Sequence, residues 1–128
     1  MGRDIKVLFW LAAVYDGVLG LAFLVAQRAI FAWLNVPPPN HPGYVAFPAA
    51  LLVVFGLLFA SVAVNPGANR NLIPFGVMLK VSYCGVAFWY WFAGGIPNMW
   101  KPWAVLDLLF LGLFVAAYRR LGARPSKV

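Results

Sequence analysis

Four runs of mostly apolar residues, each bounded by turn-forming or charged residues, leave this chain almost no soluble fold. A helix crossing the hydrocarbon of a bilayer needs about 20 such residues. The runs at residues 5–26, 45–64, 72–93 and 103–121 each supply that length. Only 10% of the residues are charged and 64% are hydrophobic, where an average soluble domain is about 25% charged. Exposed to water, such a globule would lack the polar groups to cover itself. The expected fold class is an all-α integral membrane protein, with residues 1–128 forming a single membrane domain. Its simplest architecture is an up-down bundle of four transmembrane helices.

The connections refine that expectation. Asn65-Pro66-Gly67 is a strong turn signal, so the second and third runs should form an antiparallel hairpin. The segment Arg28 to Val36 is apolar with one charge and too short to span, which reads as a short interfacial helix in the first outer loop. Pro37-Pro38-Pro39 would then end it, because prolines lack amide donors. Pro48 and Pro74 fall in the first turn of their runs, where a missing amide proton costs little. Trp33, Trp89, Trp91, Trp100 and Trp103 read as an outer aromatic belt. Stacking of a ligand by residues 88–92 is the alternative reading of that aromatic segment.

A net charge of +7 would suggest nucleic acid in a soluble protein, but here the basic residues flank apolar runs. With four spans, the two termini and the middle loop share one side. That side carries Arg3, Lys6, Arg70, Arg119, Arg120, Arg124 and Lys127, and the other carries Arg28 and Lys101. The positive-inside rule therefore places both termini in the cytoplasm, in a bacterial inner membrane. Nucleic acid is excluded as a partner, since no basic groove exists to hold it.

Three ionisable residues interrupt the apolar runs: Asp16, Lys80 and Asp107. A charge at the bilayer centre costs on the order of 2.5–3.5 kcal/mol, so such groups pair, reach water or lose their charge. At 1.5 Å per residue from the cytoplasmic ends, Asp16 lies ~16 Å deep and Lys80 ~12 Å deep. An ion pair tying the first span to the third is one reading. A polar cavity that binds a ligand or passes a proton is the other, with Tyr15 beside Asp16 and Tyr83 on the helical face of Lys80. Asp107 counts only ~6 Å from the outer end of its run. It reads as an outer-face polar site with Asn98, anchoring a helix start or a loop.

The remaining chemistry is sparse. Cys84 is the single cysteine and His41 the single histidine. Disulfide exchange within the chain and haem held by two histidines are therefore excluded. His41 with Met99 is a thin soft-metal candidate, so no metal site and no cofactor are expected. No phosphate loop, nucleophile elbow or metalloprotease spacing occurs, and no catalytic residue is assigned. Small residues four apart, Gly56 with Ala60 and Gly112 with Ala116, offer faces for close helix contact.

In span number, order and short loops the chain resembles the DoxX-like small four-span proteins of bacterial inner membranes. The segments Tyr15-Asp16-Gly17, Asn69 to Pro74 and Gly95 to Pro102 resemble family signatures. That group includes subunits associated with quinone-linked oxidation, and the resemblance carries over no functional residue. The leading expectation is an accessory or assembly subunit of a larger membrane complex, without catalysis of its own. Its partners would be the lipid bilayer and other membrane polypeptides, or a second copy of itself. The alternative is a membrane protein binding a hydrophobic small molecule such as a lipid or quinone, as an enzyme or proton-coupled carrier, with a cavity around Asp16 and Lys80.

Overall fold

A computed structural model describes residues 2–122. They are all-helical, without strands among the described residues: α1 (Gly2–Trp33), α2 (Gly43–Val64), α3 (Ile73–Ala93) and α4 (Lys101–Gly122). Single 3₁₀ turns at Arg70–Leu72 and Asn98–Trp100 lead into α3 and α4. The helix α1, the helix α2 and the stretch Arg70–Ala93 are long and apolar enough to cross a membrane. Their outward faces fit that setting. Val7, Leu11, Val14, Val18, Leu21 and Val25 all stand exposed along α1.

Helical spacing decides what points inward. In α1 the buried positions include Ile5, Phe9, Ala12, Asp16, Gly20 and Phe23, three or four apart along one stripe that Ala13 widens. In α3 the stripe is Ile73, Gly76, Lys80, Cys84 and Ala87. In α4 it is Ala104, Asp107, Phe114 and Ala117. Asp16, Lys80 and Asp107 therefore all fall on inward faces.

The helices pack as two antiparallel pairs, α1 with α2 and α3 with α4. Gly20 lets the first pair close up, because a Cβ there would stand 2.6 Å from the Ala49 carbonyl oxygen. Gly56 faces Ala13 and Gly17 across the same seam. Contact between the pairs is sparser and comes mainly from large rings. Phe9 stacks on Phe114 with centroids 4.8 Å apart, and Phe59 lies 5.0 Å from Phe114. A Cβ at Gly76 would run into the Phe59 ring. This core, with Ile5, Ala12, Val62, Ala63, Ile73 and Ala117, fills the end of the molecule where α1 begins and α4 ends. Arg70 closes that end by donating from Nε to the Tyr118 carbonyl, with its guanidinium over the Tyr118 ring. Arg120 pairs with Asp4 at 2.7 Å.

The loops depart from expectation in one place. The segment expected as a separate interfacial helix, Arg28 to Val36, is the continuation of α1 beyond a kink at Ala26 (φ −134°, ψ 24°). It stops at Trp33, before the prolines. Asn35 adopts a left-handed conformation (φ 54°), and the Val36 amide reaches back to the Phe31 carbonyl at 2.9 Å. That is a Schellman-type ending, which Asn tolerates better than other non-glycine residues. The Asn65 turn forms as its residues suggest. The Asn65 side chain accepts from the Ala68 amide, and Asn69 Nδ2 donates to the Ser61 carbonyl.

Candidate functional site

The inward stripes of α1, α3 and α4 meet at a buried charge cluster. Lys80 Nζ donates to both oxygens of Asp16, at 3.0 and 2.9 Å, and to Oδ1 of Asp107 at 3.0 Å. An ammonium has three protons, so this lysine is saturated by two carboxylates from two different helices. Burial is nearly complete: Lys80 is 0% exposed, Asp16 1% and Asp107 7%. The rings of Tyr15, Phe110 and Phe59 lie 5.2 to 5.7 Å from the ammonium and add cation–π attraction. In an apolar setting these contacts offset the cost of desolvating the ions only because the geometry is good.

Asp107 is the residue that counting along the chain misplaces. It does not lie near an outer face with Asn98, which is exposed on the turn before α4. It is inside, on Lys80. The helix ends are not level. Cys84 Sγ donates to the Ala104 carbonyl, and Tyr83 Oη donates to the Trp100 carbonyl at 2.9 Å, so α4 begins beside the middle of α3. Beyond the level of Lys101, about one turn past Cys84, α3 continues for about six residues, ~9 Å. A depth measured from the start of α4 is too shallow by that overhang.

A cavity of about 390 Å³ adjoins the cluster, within the ~300–1,000 Å³ range common for small-molecule sites. All four helices contribute to its wall. Leu19, Phe23, Val45, Pro48, Ala49 and Leu52 make most of it apolar. Tyr15, Asp16, Tyr83, Trp100, Trp103 and Asp107 form its polar and aromatic side. Tyr44 and Leu51, 67% and 40% exposed, form the rim. Lys80 is not part of the wall, although the sequence pattern centres the cavity on it with Asp16. The lysine sits behind the two carboxylates.

Trp103 Nε1, a buried donor in the wall, has no hydrogen-bond partner among the described residues, and Tyr15 Oη, which makes no bond of good geometry, lies within interaction distance of the Asp107 carboxylate. Tyr15 is near enough to both carboxylates to feel their charge. Its ring stacks on Phe110 at 5.4 Å and tilts against Trp103 at 6.0 Å. Trp100 stacks on Phe23 at 5.8 Å. Trp100 and Trp103 thus turn inward, unlike Trp33 and Trp89, which are 82% and 70% exposed. The sequence does carry a signal for Trp103, since it precedes Asp107 by one helical turn and shares its face. Trp100, Phe23 and Tyr44 carry no comparable signal.

The other candidates lie apart from the cluster. His41 accepts from the Gly43 amide at 2.9 Å in an exposed loop, whereas Met99 is buried with Phe23, Phe31 and Ala49. No group of three or more metal-ligating side chains occurs among the described residues. Phe88, Trp91 and Phe92 stack on one another at the overhanging end of α3, with Lys101 over Trp91. Comparison with protein-family models, with curated proteins and with solved structures finds no match to this chain.

Proposed function

We propose that this chain is a multi-pass membrane protein that binds a small, largely apolar molecule in the cavity beside Asp16 and Asp107. The observation that carries the reading is the cavity itself. An apolar chamber that ends on buried carboxylates is unusual in so small a protein, and buried polar groups within a membrane mark functional sites by default. The unpartnered Trp103 Nε1 in its wall supports the same reading, because buried polar groups are ordinarily satisfied.

The proposed setting completes the architecture. The helix α4 crosses as a fourth span, since its 22 residues reach ~33 Å, and the four helices form an up-down bundle of the DoxX-like kind. The excess of basic residues at the end holding Arg3, Lys6, Arg70, Arg119 and Arg120 supports a cytoplasmic position for that end in a bacterial inner membrane. Arg124 and Lys127, counted toward the same excess, lie outside the described residues.

A second reading, an accessory subunit of a larger complex, draws on a different face. Gly112 and Ala116 are exposed on α4, and no described residue lies within 4 Å of a Cβ built on Gly112. Mass spectrometry of the intact protein, extracted from its native membrane in mild detergent, separates the two. A retained small molecule with no second chain supports the cavity. A second polypeptide in fixed ratio, with no small molecule, sinks the cavity reading in favour of the subunit.

A further inference from the structure

The charge count at the cavity is uneven, and the unevenness faces inward. Two carboxylates share one ammonium, so by formal charge the cluster carries one negative charge in excess. The cavity does not see the cluster symmetrically either. Asp16 and Asp107 belong to its wall, and Lys80 does not. All three lysine protons are directed at Asp16 Oδ1, Asp16 Oδ2 and Asp107 Oδ1. The second Asp107 oxygen receives none of them. Asp107 is also the member that keeps accessible surface, with a side chain 10% exposed against 1% for Asp16 and 0% for Lys80.

We propose, resting on the binding reading above, that the cavity takes an organic cation: an ammonium-bearing molecule with an apolar body, its charge set against Asp107. Three features converge on that class. An anion would meet two carboxylates without sight of the lysine, which repels it in a low-dielectric site. A cation neutralises the excess charge that burial otherwise penalises. The cavity wall that holds Asp107 also carries Tyr15, Tyr83, Trp100 and Trp103, and the faces of such rings attract ammonium groups. The apolar remainder of the chamber, from Leu19 to Leu52, receives the hydrocarbon part and gives it affinity without direction.

The test compares two probes of one shape. Purified full-length protein in lipid nanodiscs is titrated with a naphthylethyl-trimethylammonium ion. It is titrated separately with the neutral hydrocarbon in which carbon replaces the nitrogen. Both isotherms are corrected for partition into empty nanodiscs, with tryptophan fluorescence as the readout. The cation should bind at least tenfold tighter than the hydrocarbon. Asp107→Asn should remove that preference while hydrocarbon binding persists, which also shows that the variant is folded. If Asp107→Asn fails to fold, the wild-type comparison decides alone. Equal binding of the two probes overturns the cation class and leaves the cavity reading standing. Saturable binding of neither probe overturns both.

Discussion

The two ends of this molecule are built from the same kinds of residue and packed to opposite effect. At the end where α1 starts, Phe9, Phe59 and Phe114 meet at centroid distances of 4.8 to 6.1 Å and fill the space between the helix pairs. At the other end, Phe23, Phe31 and Trp100 make similar ring contacts, at 5.8 to 6.4 Å. There Phe23 and Trp100 also wall a cavity of about 390 Å³. The Asp16–Lys80–Asp107 cluster divides the two. On its packed side Lys80 meets phenylalanine rings, and on its open side the carboxylates meet the chamber. A ring closes space only where its neighbours come near enough, and Gly76 is what brings α3 near enough to Phe59.

Removing the divider has the largest expected effect. Lys80→Met leaves two buried carboxylates facing each other without a cation, and breaking a buried pair in this way costs roughly 3–5 kcal/mol. Asp16→Asn combined with Lys80→Met should recover only part of that, because Asp107 keeps its charge. Adding Asp107→Asn should recover most of the rest. Unfolding midpoints of the purified variants in detergent give the series, and a double variant as stable as the triple would show that Asp107 contributes nothing to the cluster. Next in size is a matched pair of ring deletions. Phe114→Ala opens a void in the filled core and should cost ~3–5 kcal/mol, whereas Phe23→Ala enlarges a space that already exists and should cost clearly less. Equal losses would mean that the two ends are packed alike.

Much of this division is legible in the sequence. The four apolar runs become α1 to α4 because an apolar stretch of that length satisfies its backbone only as a helix. Asp16 and Lys80 fall at one depth because both are counted from the same end of the molecule. Asp107 does not yield to that count, because its depth is referred to the start of α4, and no local pattern records that α3 overhangs that start. The kink at Ala26 is equally hidden. Residues 28–33 read as part of a separate helix, because the sequence changes character after Ala26 without showing that hydrogen bonding continues through it. The cavity is the least legible feature of all. It exists where two helix pairs fail to close, and that depends on side chains from four helices at once.

Additions of volume invert the deletions and sharpen the comparison on a smaller scale. Gly76→Ala adds one carbon against the Phe59 ring and should cost ~1–3 kcal/mol by overpacking. Leu52→Trp adds far more volume, but toward the cavity, and should cost less than Gly76→Ala. The larger change should thus be the milder one, while also abolishing binding of the naphthyl probes. A Leu52→Trp variant that still bound them with wild-type affinity would move the binding site elsewhere.

The smallest effect belongs to the outside. Gly112 lies on the exposed face of α4 with no described atom within 4 Å of a built Cβ, so Gly112→Leu meets no steric barrier in the isolated chain. Replacing a mid-helix glycine removes a conformational penalty of about 0.5–1 kcal/mol, and the unfolding midpoint should rise by no more than that. Probe binding should be unchanged, since Gly112 is absent from the cavity wall. The same substitution blocks close helix approach on this face. If it leaves stability and probe binding intact but releases a second polypeptide from the extracted protein, the outer face of α4 is a docking surface separate from the cavity. If probe affinity falls with it, the chamber and that outer face are coupled, and the division between the cavity and an independent exterior fails.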